Sequence, residues 1–199
     1  ELKVIFEQFK DQCKFIFKVS FDKANRSSIT SYRGVGFEEG MRILKRVRDE
    51  VDVPIITDVH EPWQVEEVAK VADIIQVPAF LCRQTDLLKA VAESNRIIHV
   101  KKAQFLDVAA MHKCVEKINA FGNNKVILCE RGTMFGYKDL VVDSRNLQWM
   151  HSDKNKNLVS MDITHCLQQP SQVMPDGTVR AGGLREFIPN MGYMAVIND

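Results

Sequence analysis

Six short apolar runs alternate with amphipathic segments along this chain, and this pattern restricts the fold more than any other feature. Each run is continuously apolar, which is typical of strands in a parallel sheet covered on both faces. The sequence therefore predicts an α/β domain built on a parallel sheet. The predicted strands cover residues 15–19, 53–57, 74–77, 97–100, 125–129 and 158–163.

The segments between the runs carry apolar residues at helical spacing. Residues 132–143 are predicted to be irregular, and a Gly- and Pro-bearing loop is predicted after His165. The predicted helices cover residues 1–13, 37–50, 63–72, 87–92, 107–121, 144–151 and a final segment from about Gly182.

Polar side chains follow the predicted strands at their carboxyl ends. A doubly wound sheet collects its ligand groups at one switch point, whereas a barrel collects them at every strand end. The pattern therefore favours a (β/α)8 barrel of the TIM-barrel class. The strand-end residues are Lys18, Asp58 with His60, Gln76, Lys101, Arg131, and Asp162 with His165.

The chain has 199 residues, begins and ends on predicted helices, and carries six predicted strands between them. Strand ends recur about every 29 residues, so eight units need about 230 residues or more. We therefore expect residues 1–199 to form a single barrel domain that lacks its first and last strands. Such an incomplete barrel is expected to be inactive by itself.

Cations are concentrated at these strand ends. Lys18, Lys23 and Arg26 lie within one short stretch that contains Asp22 as its only acid, and Lys101 and Arg131 come from later strand ends. Such a group suits a phosphorylated, multiply anionic ligand, although a solvated loop is the alternative for the first three. Gln76 and Gln104 suit hydroxyl or carboxylate groups, or else strand-end capping.

Two histidines at strand ends, His60 and His165, have acids close by in the sequence. A metal site, a proton-transfer pair and hydrogen bonding to substrate hydroxyls all remain open for them. His99 is predicted to be a buried, hydrogen-bonded histidine. Cys129 and Cys166 have no activating partner in the sequence and are interpreted as packing residues.

Composition argues against several classes of partner. The net charge is only +1, the aromatic residues are scattered, and no apolar run reaches the length of a membrane span. The five cysteines form no CxxC pair, which favours reduced thiols. We therefore expect a cytoplasmic protein with no nucleic-acid or membrane partner.

Seven motifs of the chain together resemble one enzyme family, the 3-deoxy-D-manno-octulosonate 8-phosphate synthases. The similarity runs in order from about residue 15 to residue 189. Related 3-deoxy-7-phosphoheptulonate synthases share the barrel but lack the SFDKANRSS run. The motifs are FKVSFDKANRSS (17–28), TDVHE (57–61), QVPAFLCRQTDL (76–87), KKAQF (101–105), ERGTMFGY (130–137), LVVD (140–143) and DITHCLQQP (162–170).

The resemblance implies a transferase that condenses phosphoenolpyruvate with arabinose 5-phosphate, giving 3-deoxy-D-manno-octulosonate 8-phosphate and phosphate. It also implies a role in lipopolysaccharide biosynthesis and a homotetramer in the full-length enzyme. The resemblance further implies that no cofactor is required, or that one divalent metal ion is required if the first strand, which we expect to be absent here, carries cysteine instead of asparagine. His165 would then be a metal ligand.

The resemblance also implies roles for single residues. Lys18, Ser20, Lys23, Lys101 and Arg131 would cradle phosphoenolpyruvate. Asn25, Arg26 and Ser27 would hold the sugar phosphate, with Arg83 reaching a neighbouring subunit's site. Pro78, Ala79 and Phe80 would form a pocket wall, with Gln76 also binding substrate. Asp58, His60, Gln104, His165 and Gln168 would surround the reacting centre, and the catalytic candidates are Lys23, His60, Lys101 and His165.

The chain departs from this family at several positions. Ala103 stands where Gly or Pro is usual, His99 replaces a usual Asn, and the sequence leaves the family pattern after Ile188. Two alternatives therefore stay open. One is another phosphoenolpyruvate-dependent sugar-phosphate synthase, and the other is a phosphosugar-binding protein without turnover.

Overall fold

The strands of the main sheet follow one another in chain order. A computed structural model describes residues 1–137, 139–151 and 157–197. Its strands are β1 (Phe17–Lys18), β2 (Ile55–Asp58), β3 (Ile74–Val77), β4 (Ile97–Lys101), β5 (Val126–Glu130), β6 (Thr133–Met134), β7 (Leu140–Val141), β8 (Leu158–Met161), β9 (Gln168–Val173) and β10 (Val179–Gly183).

Seven helices accompany these strands in the described residues. They are α1 (Leu2–Glu7), α2 (Phe37–Val51), α3 (Val65–Val71), α4 (Thr85–Glu93), α5 (Val108–Ala120), α6 (Arg145–Met150) and α7 (Ile188–Ile197). Within that part of the chain, no helix has both the length and the apolar character needed to cross a membrane.

The six-stranded sheet has the order β1-β2-β3-β4-β5-β8, and all its pairs are parallel. A doubly wound sheet would reverse this order at a switch point, whereas a barrel sheet keeps the chain order. The predicted fold, an incomplete (β/α)8 barrel, is therefore confirmed. Among the described residues, β1 pairs only with β2 and β8 only with β5, so both outer strands leave an open edge.

The apolar core lies between the sheet and its helices. Leu44 of α2, Leu88 of α4 and Met111 of α5 are buried in one cluster with Ile75 and Leu128 of the sheet. The opposite face of the sheet is far less covered, because Ile97 and Leu158 are 37% and 65% exposed. We call this opposite face the inner face, since it would line the interior of a closed barrel.

The first predicted helix is wrong in length. Helix α1 ends at Glu7, and it buries none of its residues. The apolar spacing of residues 1–13 correctly indicates helix only for the first turns. Beyond them the chain turns back, so that Phe15 stacks on Phe6 with 4.7 Å between the ring centroids.

The predicted loop after His165 is also wrong, because β9 and β10 form an antiparallel hairpin. Pro175, Asp176 and Gly177 make its turn, in which Gly177 adopts a φ of +77°. The final helix consequently begins at Ile188 rather than near Gly182, which lies in β10. The predicted irregular segment 132–143 contains the small pair β6–β7.

A close contact between α2 and the end of β1 helps to position the site. A Cβ atom added at Gly40 would lie 2.3 Å from the Cβ of Phe21, so only glycine allows this approach. Phe21 in turn packs edge-on against the ring of His60, with 5.6 Å between ring centroids. The helix therefore supports one of the predicted site histidines through a single aromatic side chain.

We expect Gly40→Ala to lower the free energy of unfolding by about 1–2 kcal/mol, because the overpacking cost exceeds the gain in helix propensity. Gly192→Ala is the matched control, since Gly192 is also helical and a Cβ there meets nothing within 4 Å. Urea denaturation of both variants measures the difference. Equal stabilities would contradict the tight contact.

Candidate active site

The carboxyl ends of the six parallel strands meet at one edge of the sheet and bring distant polar residues together. Lys18, Asp58 and Lys101 end β1, β2 and β4, while Arg131 and Asp162 directly follow β5 and β8. We call these five residues, with Ser20, Lys23, His60 and His165, the strand-end cluster.

Asp162 connects the middle of this cluster. Its Oδ2 contacts the Lys101 ammonium and accepts a hydrogen bond from Nδ1 of His165 at 2.8 Å. Its Oδ1 accepts the backbone N–H groups of Thr164 and His165 at 3.1 and 2.9 Å. Burial acts to raise the pKa of Asp162, but the His165 hydrogen bond and the Lys101 charge hold it far below its usual range. Asp162 is therefore a fixed anion that orients a lysine and a histidine.

A second carboxylate, Asp58, has a similar environment. It is 7% exposed, and its Oδ2 lies 3.2 Å from Nε2 of His60. Burial opposes ionisation, yet hydrogen bonds from His60 and Ser20 and the charge of Lys18 lower the pKa of Asp58. Ser20 also accepts a hydrogen bond from the Lys23 ammonium at 2.9 Å. The end of β1 and the end of β2 thus form one polar network.

Arg131 is buried behind these groups, with only 4% of its surface exposed. Its Nη2 donates to the backbone carbonyl of His165 at 3.0 Å and to Oε1 of Gln168 at 3.4 Å. Burial lowers the pKa of Arg131, while the nearby Asp162 charge acts in the opposite direction. The guanidinium therefore lies within electrostatic range of the same carboxylate that binds Lys101.

The cluster carries an excess of positive charge. Four cations (Lys18, Lys23, Lys101, Arg131) face two carboxylates (Asp58, Asp162), which leaves +2 with neutral histidines. Loss of hydration lowers the pKa of Lys18, and the charges of Lys101 and Lys23 lower it further. These lysines consequently repel one another, and a bound anion would relieve that repulsion.

Several buried polar atoms at this edge lack a hydrogen-bond partner among the described residues. Such atoms are uncommon in folded proteins and mark positions that a ligand or water occupies. They belong to residues at or just beyond the carboxyl ends of β2, β3, β4 and β5, the same end of the sheet that carries the cations. At the carboxyl edge they are Thr57 Oγ1, Asp58 Oδ1, His60 Nδ1, Gln76 Oε1, Gln104 Oε1 and Arg131 Nε.

The loop after β1 projects a second predicted group into solvent. Asn25, Arg26 and Ser27 are exposed. The loop is closed at its base, where Arg33 Nε donates to Asp22 Oδ1 at 2.9 Å and the N–H of Lys23 donates to the carbonyl of Arg33 at 2.5 Å. The Arg33 hydrogen bond lowers the pKa of Asp22.

The remaining predicted site residues lie beside β3. Pro78 and Ala79 follow this strand directly, and Ala79 begins a short 3-10 turn. Phe80 is 55% exposed, and Arg83 is exposed just beyond the turn. The structure therefore gathers the strand-end residues but leaves Phe80, Arg83 and the 25–27 group open to solvent.

Sequence reasoning assigned no role to three residues of this region. The sequence places Asp162 at a strand end close to His165, and Lys102 and Glu130 at the ends of two other strands, but it predicts no separate role for any of the three. The consecutive lysines Lys101 and Lys102 do indicate a second role. Consecutive strand residues face opposite sides of a sheet, so only one of these two lysines can face the cluster.

The other cysteine and histidine interpretations agree with the structure. Cys129 and Cys166 are 2% exposed, and burial raises the pKa of each thiol to about 11. His99 is mostly buried on β4, and its Nε2 lies 2.8 Å from the hydroxyl of Ser160 on β8.

A metal site was one of the open possibilities. Within residues 1–137, 139–151 and 157–197, no group of three or more His, Cys, Asp or Glu side chains is arranged to hold a metal ion. His165 already donates from Nδ1 to Asp162, so a metal would have to bind its Nε2 and take further ligands from elsewhere. Metal dependence therefore stays a prediction.

Comparison with known proteins gives consistent matches. The sequence profile of the DAHP synthetase I family matches residues 1–185. The chain is 56% identical over 182 residues to 2-dehydro-3-deoxyphosphooctonate aldolase 2 of Arabidopsis thaliana, covering 91% of this chain and 62% of that protein. The aldolase of the same name from Pisum sativum is 57% identical over the same shares of the two chains.

A bacterial protein of the same name, from Fusobacterium nucleatum, is 52% identical over 88% of this chain and 61% of its own length. The chain thus spans about three fifths of the length of the curated relatives that it matches.

His99 makes the stability of the fold depend on pH. Burial, and then the charges of Lys101 and Lys18, lower the pKa of His99 to about 4, against about 6.5 in an unfolded chain. As the pH falls below about 6.5, the unfolded state takes up a proton on His99 before the folded state does. The contribution of His99 to stability is therefore fully present above about pH 6.5 and is lost as the pH decreases towards 4. We expect His99→Asn to remove about 2 kcal/mol of this loss.

Urea denaturation at several pH values between 7 and 4.5 tests this expectation. The exposed His151→Asn is the control, and it should keep the pH dependence of the parent chain. An unchanged slope in His99→Asn would show that His99 is not the titrating group.

Proposed function

This chain belongs to the DAHP synthetase I family, and we propose that its strand-end cluster binds phosphoenolpyruvate and arabinose 5-phosphate for an aldol-type condensation. The observation that carries the proposal is the coincidence of four cations with unpartnered buried polar atoms at one edge of the sheet. Two phosphorylated substrates would supply the anions and hydrogen-bonding groups that these atoms lack. The relatives are named 2-dehydro-3-deoxyphosphooctonate aldolases, which supports a product of this class.

The carboxylate and phosphate of phosphoenolpyruvate suit the inner cations. Lys101 and Arg131 are buried at the ends of β4 and β5, whereas Lys18 is exposed at the end of β1. Fixed cations in such a place stabilise anionic charge more strongly than solvated ones. Lys23, which is held towards Ser20, would complete the cradle from the loop.

The sugar phosphate suits the exposed group on the following loop. Asn25, Arg26 and Ser27 combine one guanidinium with amide and hydroxyl donors, a set that recognises phosphate oxygens. The base of this loop adjoins Ser20 and Lys23, so the aldehyde end of the sugar would reach the cluster. Gln76, Pro78, Ala79 and Phe80 would line the space beside it.

In the proposed reaction, C3 of phosphoenolpyruvate attacks the aldehyde carbon, and a carbon–carbon bond forms. A water oxygen adds to C2, and cleavage of the bond between C2 and the phosphate oxygen leaves a ketone at C2 and releases inorganic phosphate. Of the two protons of that water, one replaces the proton given to the aldehyde oxygen and the other leaves with the phosphate. The aldehyde oxygen takes up a proton as it becomes a hydroxyl. His60 and His165, each oriented by a carboxylate, are the proposed proton donors.

The proposal also includes a homotetramer, and for the cofactor it keeps both alternatives, no cofactor or one divalent metal ion. A divalent metal, where one is used, would polarise an oxygen at the reacting centre, with His165 as its ligand from this chain. Arg83 is exposed beside β3 and is the residue proposed to enter a neighbouring subunit's site.

Arg26→Ala should weaken arabinose 5-phosphate binding more than phosphoenolpyruvate binding. Loss of one charge-assisted hydrogen bond is worth about 1.5–3 kcal/mol, which is about tenfold or more in affinity. Calorimetric titration measures both ligands, using a chimaera in which this chain replaces the matching 182-residue segment of the Arabidopsis relative. Arg46→Ala, which removes an exposed arginine paired with Glu50 on α2, is the control. Equal weakening for both ligands would contradict separate phosphate sites.

The 199-residue chain by itself should bind phosphate weakly and release none from phosphoenolpyruvate above background. Two strand edges are open and the inner face exposes apolar side chains, so the cluster has no closed surroundings. A phosphate-release assay with both substrates, with and without a divalent metal, tests this. The chimaera is the positive control, and turnover of the chain alone at about 1 per second or more would contradict the expectation.

A further inference from the structure

Two consecutive lysines at the end of β4 have opposite surroundings. Lys101 contacts Asp162 in the strand-end cluster, on the inner face of the sheet. Lys102 lies on the helix-facing side, and its side chain has no exposed surface. The proposed function uses Lys101 and leaves a fully buried lysine unexplained.

The buried lysine is paired with a buried carboxylate. The Lys102 ammonium lies 3.3 Å from Oε1 of Glu130, whose side chain also has no exposed surface. The same ammonium donates to the carbonyl of Gly132 at 2.9 Å and to the hydroxyl of Thr133 at 3.1 Å. Lys102 therefore reaches across from β4 to the turn that follows β5.

Glu130 holds the same turn through its N–H groups. Its Oε1 accepts the backbone N–H of Arg131 at 2.8 Å and that of Gly132 at 2.6 Å. Its Oε2 accepts a hydrogen bond from the Asn146 amide of α6 at 2.9 Å. The peptide groups on both sides of the Arg131 Cα are thus bonded to one carboxylate.

The turn itself needs this support. Gly132 has a φ of +89°, and a Cβ there would lie 3.1 Å from the Cβ of Leu140. A glycine with a positive φ can adopt many other backbone conformations, so the turn keeps this one only if its polar groups are held by hydrogen bonds. Here Glu130 binds the N–H of Gly132 and Lys102 binds its carbonyl.

We propose that the Lys102–Glu130 pair is a positioning device that fixes the turn after β5 and thereby aims the Arg131 guanidinium at the anionic ligand. This inference rests on the proposed function, in which Arg131 binds phosphoenolpyruvate. Lys102 and Glu130 touch no substrate in it, and they act through the backbone of residues 131 and 132.

A purely stabilising role is the alternative, and general energetics argue against it. Replacing both members of a buried ion pair is often neutral or stabilising, whereas removing one member leaves an unpaired buried charge. If the Lys102–Glu130 pair served only stability, replacing both residues with neutral ones would therefore leave the protein functional. If the pair fixes the geometry of the turn, the same replacement would impair binding, because neutral side chains bind the peptide groups of the turn less firmly.

The test compares Glu130→Gln, Lys102→Met and the double variant Lys102→Met/Glu130→Gln in the same chimaera with the Arabidopsis relative that is used for Arg26→Ala. Lys125→Met is the control, because Lys125 also donates to a backbone carbonyl but precedes β5 at its opposite end. We expect amide hydrogen exchange of Arg131 and Gly132 to be about tenfold faster in all three variants and unchanged in the control. Phosphoenolpyruvate affinity should fall about tenfold, and arabinose 5-phosphate affinity less than about threefold.

The double variant separates the two roles. It has no unpaired buried charge, so we expect its thermal stability to return towards that of the parent chimaera while phosphoenolpyruvate affinity stays low. Recovery of both stability and affinity would overturn the inference and support a purely stabilising pair. Unchanged exchange at residues 131 and 132 in every folded variant would also overturn it.

A separate variant tests the proposed function independently of the positioning role. Arg131→Ala, with Lys102 and Glu130 intact, should abolish phosphoenolpyruvate binding. If this variant binds as the parent chimaera does, the assigned role of Arg131 is wrong. If it loses binding while Glu130→Gln and Lys102→Met keep it, only the positioning role is wrong.

Discussion

The alternation of side chains across a strand is the constraint on which this site depends. Successive residues face opposite sides of a sheet, so each strand end can send one group to the inner face and the next to the helix layer. Lys101 and Lys102 divide in this way at β4, and Arg131 and Glu130 do so at β5. The two inner groups, Lys101 and Arg131, lie in the strand-end cluster, while Lys102 and Glu130 form a buried ion pair on the other side of the sheet.

Electrostatic balance explains why so many cations can share one edge. Asp58 and Asp162 have pKa values held low by their partners, so they remain negative and offset part of the positive charge. They do not offset all of it, and the residual charge favours an anion. The carboxylates also contact the two histidines, so the same two groups balance charge and orient the imidazole rings.

The sequence predicted the sheet well because continuous apolar runs and strand-end polar residues are local signals. It failed where the outcome depends on distant contacts. The spacing of residues 1–13 does not reveal that α1 buries none of its residues, and the loop predicted after His165 does not anticipate the pairing of β9 with β10. The role of Asp162 was missed for a similar reason, since it meets Lys101 across 61 residues of chain.

The ion pair between Asp22 and Arg33 affects how tightly the loop between them could bind a ligand. These residues are 11 positions apart, and their bond closes the loop that carries Asn25, Arg26 and Ser27. A closed loop has already lost part of its conformational entropy before any ligand arrives. Ordering Arg26 around a phosphate then costs less free energy than it would on an unconstrained segment. The affinity for an anion at the tip of this loop is thus set partly by an ion pair at its base.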